Sequence, residues 1–377
     1  MQNENKGISR RAVIQSAAIA PFAAVKGSSA NSAVTVGLIG AGGRGSTVAK
    51  ALVENTPAKL VAISDLYDEQ IARAKQRIGV HDPQIYKDYH DLLASDVDAV
   101  IIATPVFLHA DHFEDAVQAG KHIYVEKPAS ADVAGCKRIM RAADAADRKL
   151  NITFGFQRRY GQVYHKAKKV LDSGALGDIQ MAHVHFIKNA GREGSIPEPK
   201  TLDEKIKTWH VWKDLSGDLI VENNIHLIDV MNWFLGGRPN SALGAGGRKA
   251  TNRAGDMMDH GDVTFAYDNG VSGALIGSTL GPPGYRDVFE QFFGSKGMIE
   301  TAAEYWKHFE NGEFVLREES PRNVTIDAMD SFVSRIAEGR PENVGVRGAE
   351  STLTAILGRM AMEQRREVKW EEMMESA

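Results

Sequence analysis

The sequence predicts an α/β protein in two parts: an N-terminal doubly wound parallel sheet of Rossmann type, then an α+β domain on a large, mostly antiparallel sheet. Three observations carry that expectation. From Val34 to Phe156, short β-branched runs alternate with segments of helical period, the pattern of βαβ units. The first run leads directly into Gly40-Ala41-Gly42-Gly43-Arg44-Gly45, a glycine-rich turn that opens a helix. Beyond Phe156 the period changes, and strand-like alternation dominates from Ile179 onward.

In the first part the expected strands are Val34–Ile39, Leu60–Ser64, Ala99–Ala103, His122–Val125 and Ile152–Gly155. Between them Ser46–Glu54, Asp68–Ile78, Leu108–Ala119 and Ala131–Ala146 carry Ala, Leu, Ile and Val at three- and four-residue steps, as helices that cover a sheet do. In the second part we expect a helix around Tyr164–Ser173, a strand over Ile179–Ile187, a loop at Pro197 and Pro199, and a helix from Ile220 to Phe234. Strand-like runs follow at 262–268, 271–279, 287–293 and 313–317, and helices at about 326–338 and 348–364 close the chain. A length of 377 residues suits two domains. We place them at 34–156 (nucleotide-binding) and 157–345 (substrate-binding), with a C-terminal helix and tail at 346–377.

Residues 1–33 read as a leader. Ser9-Arg10-Arg11-Ala12-Val13-Ile14, a short Ala-rich apolar stretch to Val25 and a small-residue site at Ser28-Ser29-Ala30 have the layout of a twin-arginine export signal. That implies a periplasmic or otherwise exported protein; the rival reading is a cytosolic tail that contains Arg-Arg. Lys and Arg number 45 against 49 Asp and Glu, a formal charge of -4 without a basic stripe, which argues against a nucleic-acid partner. After residue 30 no apolar run reaches membrane-spanning length, so no membrane anchor is expected. The single Cys136 rules out an intramolecular disulfide or a cysteine-based metal site.

The glycine turn carries the first chemistry. Gly40 permits the tight turn, Gly42 lets backbone approach a pyrophosphate, and Gly45 lets helix and strand pack, while the helix N-terminus attracts phosphate. Gly43 and Arg44 complete this nucleotide-facing turn with Ala41. Asp65, 20 residues beyond Gly45, would bind a ribose diol and repel a 2′-phosphate, which selects NAD over NADP. Gly244-Ala245-Gly246-Gly247-Arg248 looks similar, but no helical period follows it, and we assign it no such role. The fourth and fifth strands end in Ala103-Thr104-Pro105 and Glu126-Lys127-Pro128, at the carboxyl edge where such sheets bind ligands. Pro128 holds Lys127 extended, where an ammonium in a partly desolvated pocket can exchange protons with a substrate hydroxyl.

Together with Glu222 and His226, these motifs resemble the glucose-fructose oxidoreductase / inositol dehydrogenase / rhizopine-catabolism (Gfo/Idh/MocA) family, over about residues 34–365. The resemblance implies NAD(P) as cofactor, Lys127 as catalytic residue, and Glu222 and His226 completing the site. It places Thr104, Pro105, His109 and Glu126 at the cofactor, and Arg159, Trp209 and Asn223 at the substrate with Lys127 and His226. Two departures stand out: Val106 follows Thr104-Pro105 where many members have Asn, and Glu222 stands where Asp is commoner.

On an α-helix Glu222, His226, Asp229 and Trp233 would share one face, a polar stripe unlikely to face water on so apolar a segment. The histidine then acts as acid, base or proton relay. A zinc site from Glu222, His226 and His183 or His185 lacks the H-E-x-x-H spacing, and we expect no metal. Arginines and aromatics at Arg158, Arg159, Tyr160, Trp209 and Trp212 suit sugar rings or simple packing. The expectation is an NAD-dependent oxidoreductase of a sugar, glycoside or polyol, with cofactor held tightly and recycled, assembled as a homo-oligomer through the C-terminal sheet. The alternatives are an NAD-dependent glycoside hydrolase or lyase that oxidises the sugar transiently, and a sugar-binding sensor that keeps NAD structurally.

Overall fold

The computed structural model describes residues 33–189, 196–249, 254–268 and 270–376. The Arg10-Arg11 segment lies outside the described residues. The first sheet contains β1 (Thr35–Ile39), β2 (Lys59–Ser64), β3 (Gln84–Tyr86), β4 (Ala99–Ile102), β5 (His122–Val125) and β6 (Ile152–Phe154). All pairings are parallel, in the order β3-β2-β1-β4-β5-β6. Every residue of β4 is buried because helices cover both faces, which is why this strand reads as an unbroken apolar run. The helices Gly43–Asn55, Asp68–Ile78, His109–Gln118 and Val133–Ala145 supply those covers. Asp68–Ile78 begins with Asp68 and Glu69, ends with Lys75 and Arg77, and stops at Gly79 with φ +81°, so charge and cap both suit the helix dipole. The strand β3, short and mostly exposed, was not expected.

The second sheet has nine strands: β7 (Ile179–Lys188), β8 (Ser241–Gly247), β9 (His260–Ala266), β10 (Ser272–Ser278), β11 (Arg286–Gly294), β12 (Gly297–Thr301), β13 (Tyr305–Glu310), β14 (Glu313–Glu319) and β15 (Val368–Lys369). Their order is β14-β13-β12-β11-β7-β10-β9-β8-β15, antiparallel except where β10 runs parallel to β7. The second glycine cluster, Gly244 to Gly247, lies in β8, consistent with the absence of a helical period after it. A Cβ on Gly244 or Gly246 would meet Met362 at 3.0 and 2.7 Å, so these glycines let the helix Gly345–Gln364 approach the sheet.

One face of this sheet is covered by Ile225–Leu235 and Gly345–Gln364. On β7 the inward residues are Ala182, Val184 and Phe186, while His183 and His185 lie on the other face among Phe289 and Phe293. The helix Val324–Ala337 instead joins the core of the first sheet, where Phe332 meets Tyr124 edge-on at 5.8 Å and packs with Val36, Leu38 and Ile101.

Candidate active site

The chain leaves β1 through Gly40, whose φ of +93° and 2.7 Å clearance from Ala103 C and Thr104 N admit no side chain. A Cβ on Gly45 would fall 2.1 Å from Gly40 O, so the helix packs on the turn itself. Gly42 and Gly43 differ: nothing lies within 4 Å of a Cβ on either. Gly42 caps Gly43–Asn55 with extended backbone and no side-chain hydrogen bond, leaving the first-turn amides to a ligand. An open, uncapped helix start of this kind fits a dinucleotide pyrophosphate, and Gly42 and Gly43 are the residues that would hold it.

Asp65 follows β2, and its carboxylate accepts the N–H groups of Ala41 at 2.8 Å and Tyr67 at 2.9 Å. A carboxylate has about four lone-pair sites, so capacity remains for a ribose diol. Asp65 thus fits the ribose and also orients the turn.

The carboxyl ends of β4 and β5 are tied together from below. His109 is buried, with Nδ1 2.7 Å from Pro128 O and Nε2 2.9 Å from Thr104 O. Each ring nitrogen faces a backbone carbonyl, and the neutral ring donates to one of them, so His109 supports the pocket through Thr104 and Pro128. Thr104 Oγ1 also lies 3.0 Å from Nδ1 of His112, whose pKa burial pushes down to about 4. Val106, in place of the expected Asn, is buried and offers no polar group.

Glu126 likewise turns inward. It is 3% exposed, and Arg44 Nε at 2.8 Å, Gln157 Nε2 at 3.1 Å and Tyr124 Oη at 3.3 Å donate to its Oε1. The residue links the glycine turn to the chain after β6. Gly155 is required beside it, since a Cβ there would stand 2.7 Å from the carboxylate.

Lys127 points the other way, across to the second half of the chain. Its Nζ donates to the backbone oxygen of Glu222 at 2.5 Å and lies 3.5 Å from Glu222 Oε1, with both side chains less than a fifth exposed. The Lys127–Pro128 peptide is cis. The continuous α-helix expected from Ile220 to Phe234 is replaced by a π-helical stretch, Ile220–Asn224, followed by α-helix over Ile225–Leu235. Widening the turn shifts Glu222 relative to His226, so the simple four-residue stripe does not hold there; π turns concentrate at functional sites. Before it, Gly217 (φ +81°) and Asp218 (φ +83°) turn the chain sharply, and Asp218 Oδ1 accepts the N–H groups of Leu219 and Met258, each at 2.7 Å.

His226 stands edge-on to Phe156 at 6.3 Å. Burial, then the positive charge of Lys127, holds its pKa well below the ordinary value, so the ring is neutral near pH 7. Its Nδ1 and the Nδ2 of Asn223 are buried without a hydrogen-bond partner among the described residues, the condition of groups that await a polar ligand.

Other expected ligands have protein partners of their own. Arg159 Nε bonds both oxygens of the buried Asp229, at 3.0 and 2.8 Å, and its guanidinium lies over Trp233, 5.3 Å from the ring centre. It borders a cavity of about 300 Å³ with Arg238, Arg347 and Glu350. Trp209 is half-buried in a short 3-10 turn against His210. Among the described residues no three His, Cys, Asp or Glu side chains are placed to share a metal, and His183 and His185 lie on the outer sheet face.

Sequence reasoning missed the helix Gly345–Gln364 as part of the site's support. Its Ser351, Thr352, Thr354 and Arg359 bond to the segments that carry Lys127 and His226. The run Ser351-Thr352-Leu353-Thr354 in an otherwise apolar helix was the available signal.

A doubly wound sheet with an open glycine turn, a carboxylate after β2, and a lysine bonded to a glutamate from a second α+β part is the architecture of a nicotinamide-nucleotide oxidoreductase. Two family models agree: an oxidoreductase family with an NAD-binding Rossmann fold matches residues 34–154, and the GFO/IDH/MocA C-terminal domain matches 164–300. The chain belongs to the Gfo/Idh/MocA family of NAD-binding oxidoreductases. It is 27% identical over 357 residues to myo-inositol 2-dehydrogenase of Thermotoga maritima, covering 90% of this chain and 99% of that protein. Inositol 2-dehydrogenase of Rhizobium meliloti is 28% identical over 268 residues, 71% of this chain and 74% of its own. The fold is similar to levoglucosan dehydrogenase in complex with NADH and levoglucosan, with TM-score 0.78 and 19% identity over 90% of this chain and 99% of that one.

Proposed function

We propose that the protein oxidises a CH–OH carbon of a sugar, glycoside or polyol in an NAD-dependent reaction. The observation that carries the reading is the meeting of Lys127 Nζ with Glu222, at 2.5 Å from its carbonyl and 3.5 Å from its carboxylate, beside a neutral His226. The inositol dehydrogenases among its relatives support a polyol-like substrate. NAD, when bound, supplies the nicotinamide carbon that takes up hydride. Gly42 and Gly43 hold the pyrophosphate and Asp65 the ribose. Lys127 and His226 bind the reacting hydroxyl and carry its proton, while Glu222 keeps the lysine in place and Asn223 offers its amide to a neighbouring hydroxyl. A panel of sugars and polyols, read at the NADH band, tests the proposal beside chromogenic glycosides. NADH formation with a member of the panel supports it. Chromophore release without NADH accumulation replaces it with redox-neutral glycoside cleavage.

The leader at residues 1–33 supports export by the twin-arginine route, which carries folded proteins. Outside the cytoplasm there is no sizeable pool of free nucleotide, so the cofactor would stay bound and be reoxidised in place by a second carbonyl compound. The outer face of the nine-stranded sheet, with Leu243, Ile276, Phe289 and Phe293, supports pairing with a second copy of the chain.

A further inference from the structure

We infer that Arg359 is a positioning residue for this site, clamping the segment that carries Lys127 to the segment that carries Glu222 and His226. The inference rests on the dehydrogenase reading and names what sets its geometry. Arg359 Nη1 donates to Ala131 O at 2.9 Å and to Gly217 O at 3.1 Å. Ala131 lies four residues after Lys127, and Gly217 lies five before Glu222, so one guanidinium nitrogen bridges both arms of the site.

Two carbonyl oxygens aimed at one point repel each other unless a donor stands between them, and a cation serves best. The chain is bent to make this possible: the left-handed pair Gly217 and Asp218 precedes the π turn, and a Cβ on Gly217 would stand 3.2 Å from Ala131 O.

The same helix holds both arms at further points. Thr352 Oγ1 accepts the N–H of Ala129 at 2.9 Å, two residues beyond Lys127. Ser351 donates to Asp229 at 2.7 Å, and Thr354 accepts from Asn232 at 2.9 Å, both on the helix that begins just before His226. Gly345–Gln364 is therefore a rail to which lysine and histidine segments are fastened independently, and Arg359 hydrogen-bonds to both arms. The contact of Lys127 with Glu222 depends on that registration, because a displacement of about 1 Å at a reacting group can cost about 10²-fold in rate.

The test uses Arg359→Met, Arg359→Lys and Thr352→Val in the full chain, with Met329→Ala, in the core of the first sheet, as a destabilised control. Two quantities are read: steady-state kinetics with NAD and substrate, and the rate at which acetic anhydride labels the Lys127 amine, followed by mass spectrometry at fixed pH. Arg359→Met should lower kcat by about 10²-fold, leave NAD affinity unchanged, and label Lys127 several-fold faster. Arg359→Lys should recover part of both, and Thr352→Val should move both in the same direction by less. Met329→Ala should lose thermal stability and change neither. The inference is overturned if Arg359→Met is merely less stable, with kcat and labelling as in the wild type. Should that variant not fold, Arg359→Lys and Thr352→Val decide on the same two readouts. Labelling does not depend on turnover, so a wild type inactive on every substrate would remove the dehydrogenase reading while leaving the clamp measurable.

Discussion

We propose that Asp65 decides between the two nicotinamide nucleotides by charge. Its carboxylate already orders the glycine turn through Ala41 and Tyr67, and what remains of its hydrogen-bonding capacity suits a diol and opposes a phosphate. Wild-type protein should prefer NAD, and Asp65→Ser should narrow that preference by about 10-fold to 100-fold, the worth of a hydrogen bond to a charged group. Kinetics with both nucleotides check this, and equal use of NADP by the wild type contradicts it. Buried histidines make stability depend on pH. His109, His112 and His226 all have folded-state pKa values below the ordinary one, each chiefly through burial. The unfolded chain therefore binds protons that the folded chain refuses. Their contribution is complete above about pH 6.5 and is lost as pH falls, by up to about 1.4 kcal/mol per pH unit for each histidine. Melting temperature should drop between pH 6.5 and about 4, the value of His112, and His112→Asn should flatten part of that slope.

The glycines of one turn divide into two kinds. Gly45→Ala places a methyl 2.1 Å from Gly40 O and should cost stability by several kcal/mol or prevent folding. Gly42→Ala enters open space and should leave the melting temperature near that of wild type while abolishing tight NAD binding. Thermal melts and nucleotide titration on the two variants separate the roles; equal loss of stability in both would refute the division. The sequence was legible here because the turn has strict spacing and its strand is buried on both faces. It was less legible where elements are short or glycine-rich: β3 has three mostly exposed residues, and β8 is Ser-Ala-Leu-Gly-Ala-Gly-Gly. The π turn at Ile220–Asn224 cannot be read from periodicity, since it is one register shift inside an apolar helix that packs on a sheet. Glu126 and His109 showed their motif but not their direction, which burial decides: both face inward to protein groups. Arg159 met its partner Asp229, 70 residues away, a pairing that only the fold reveals.

The whole molecule joins a nucleotide-binding sheet to a second sheet through helices that cross between them. Val324–Ala337, late in the chain, packs with Val36 and Leu38 near its start, so the first core is completed only when the last third of the chain has folded. If the leader exports this folded unit with its nucleotide, release must be slow and the dissociation constant well below micromolar, stronger than about -8 kcal/mol. Protein purified without added cofactor should then carry near-stoichiometric nucleotide, visible in its absorbance and in the supernatant after denaturation. A nucleotide-free preparation that binds NAD weakly would contradict both export with bound cofactor and internal recycling.

On the proposed function Lys127 acts on the substrate's hydroxyl in a site built around bound NAD. The most direct test of this role measures NAD binding and the initial rate of NADH formation on the same preparations of wild type and Lys127→Ala. The expected result is equal nucleotide affinity with turnover lower by about 10²-fold to 10⁴-fold, the usual contribution of one acid–base group. A variant that turns over at the wild-type rate, or one whose lost rate merely follows lost nucleotide binding, would contradict it.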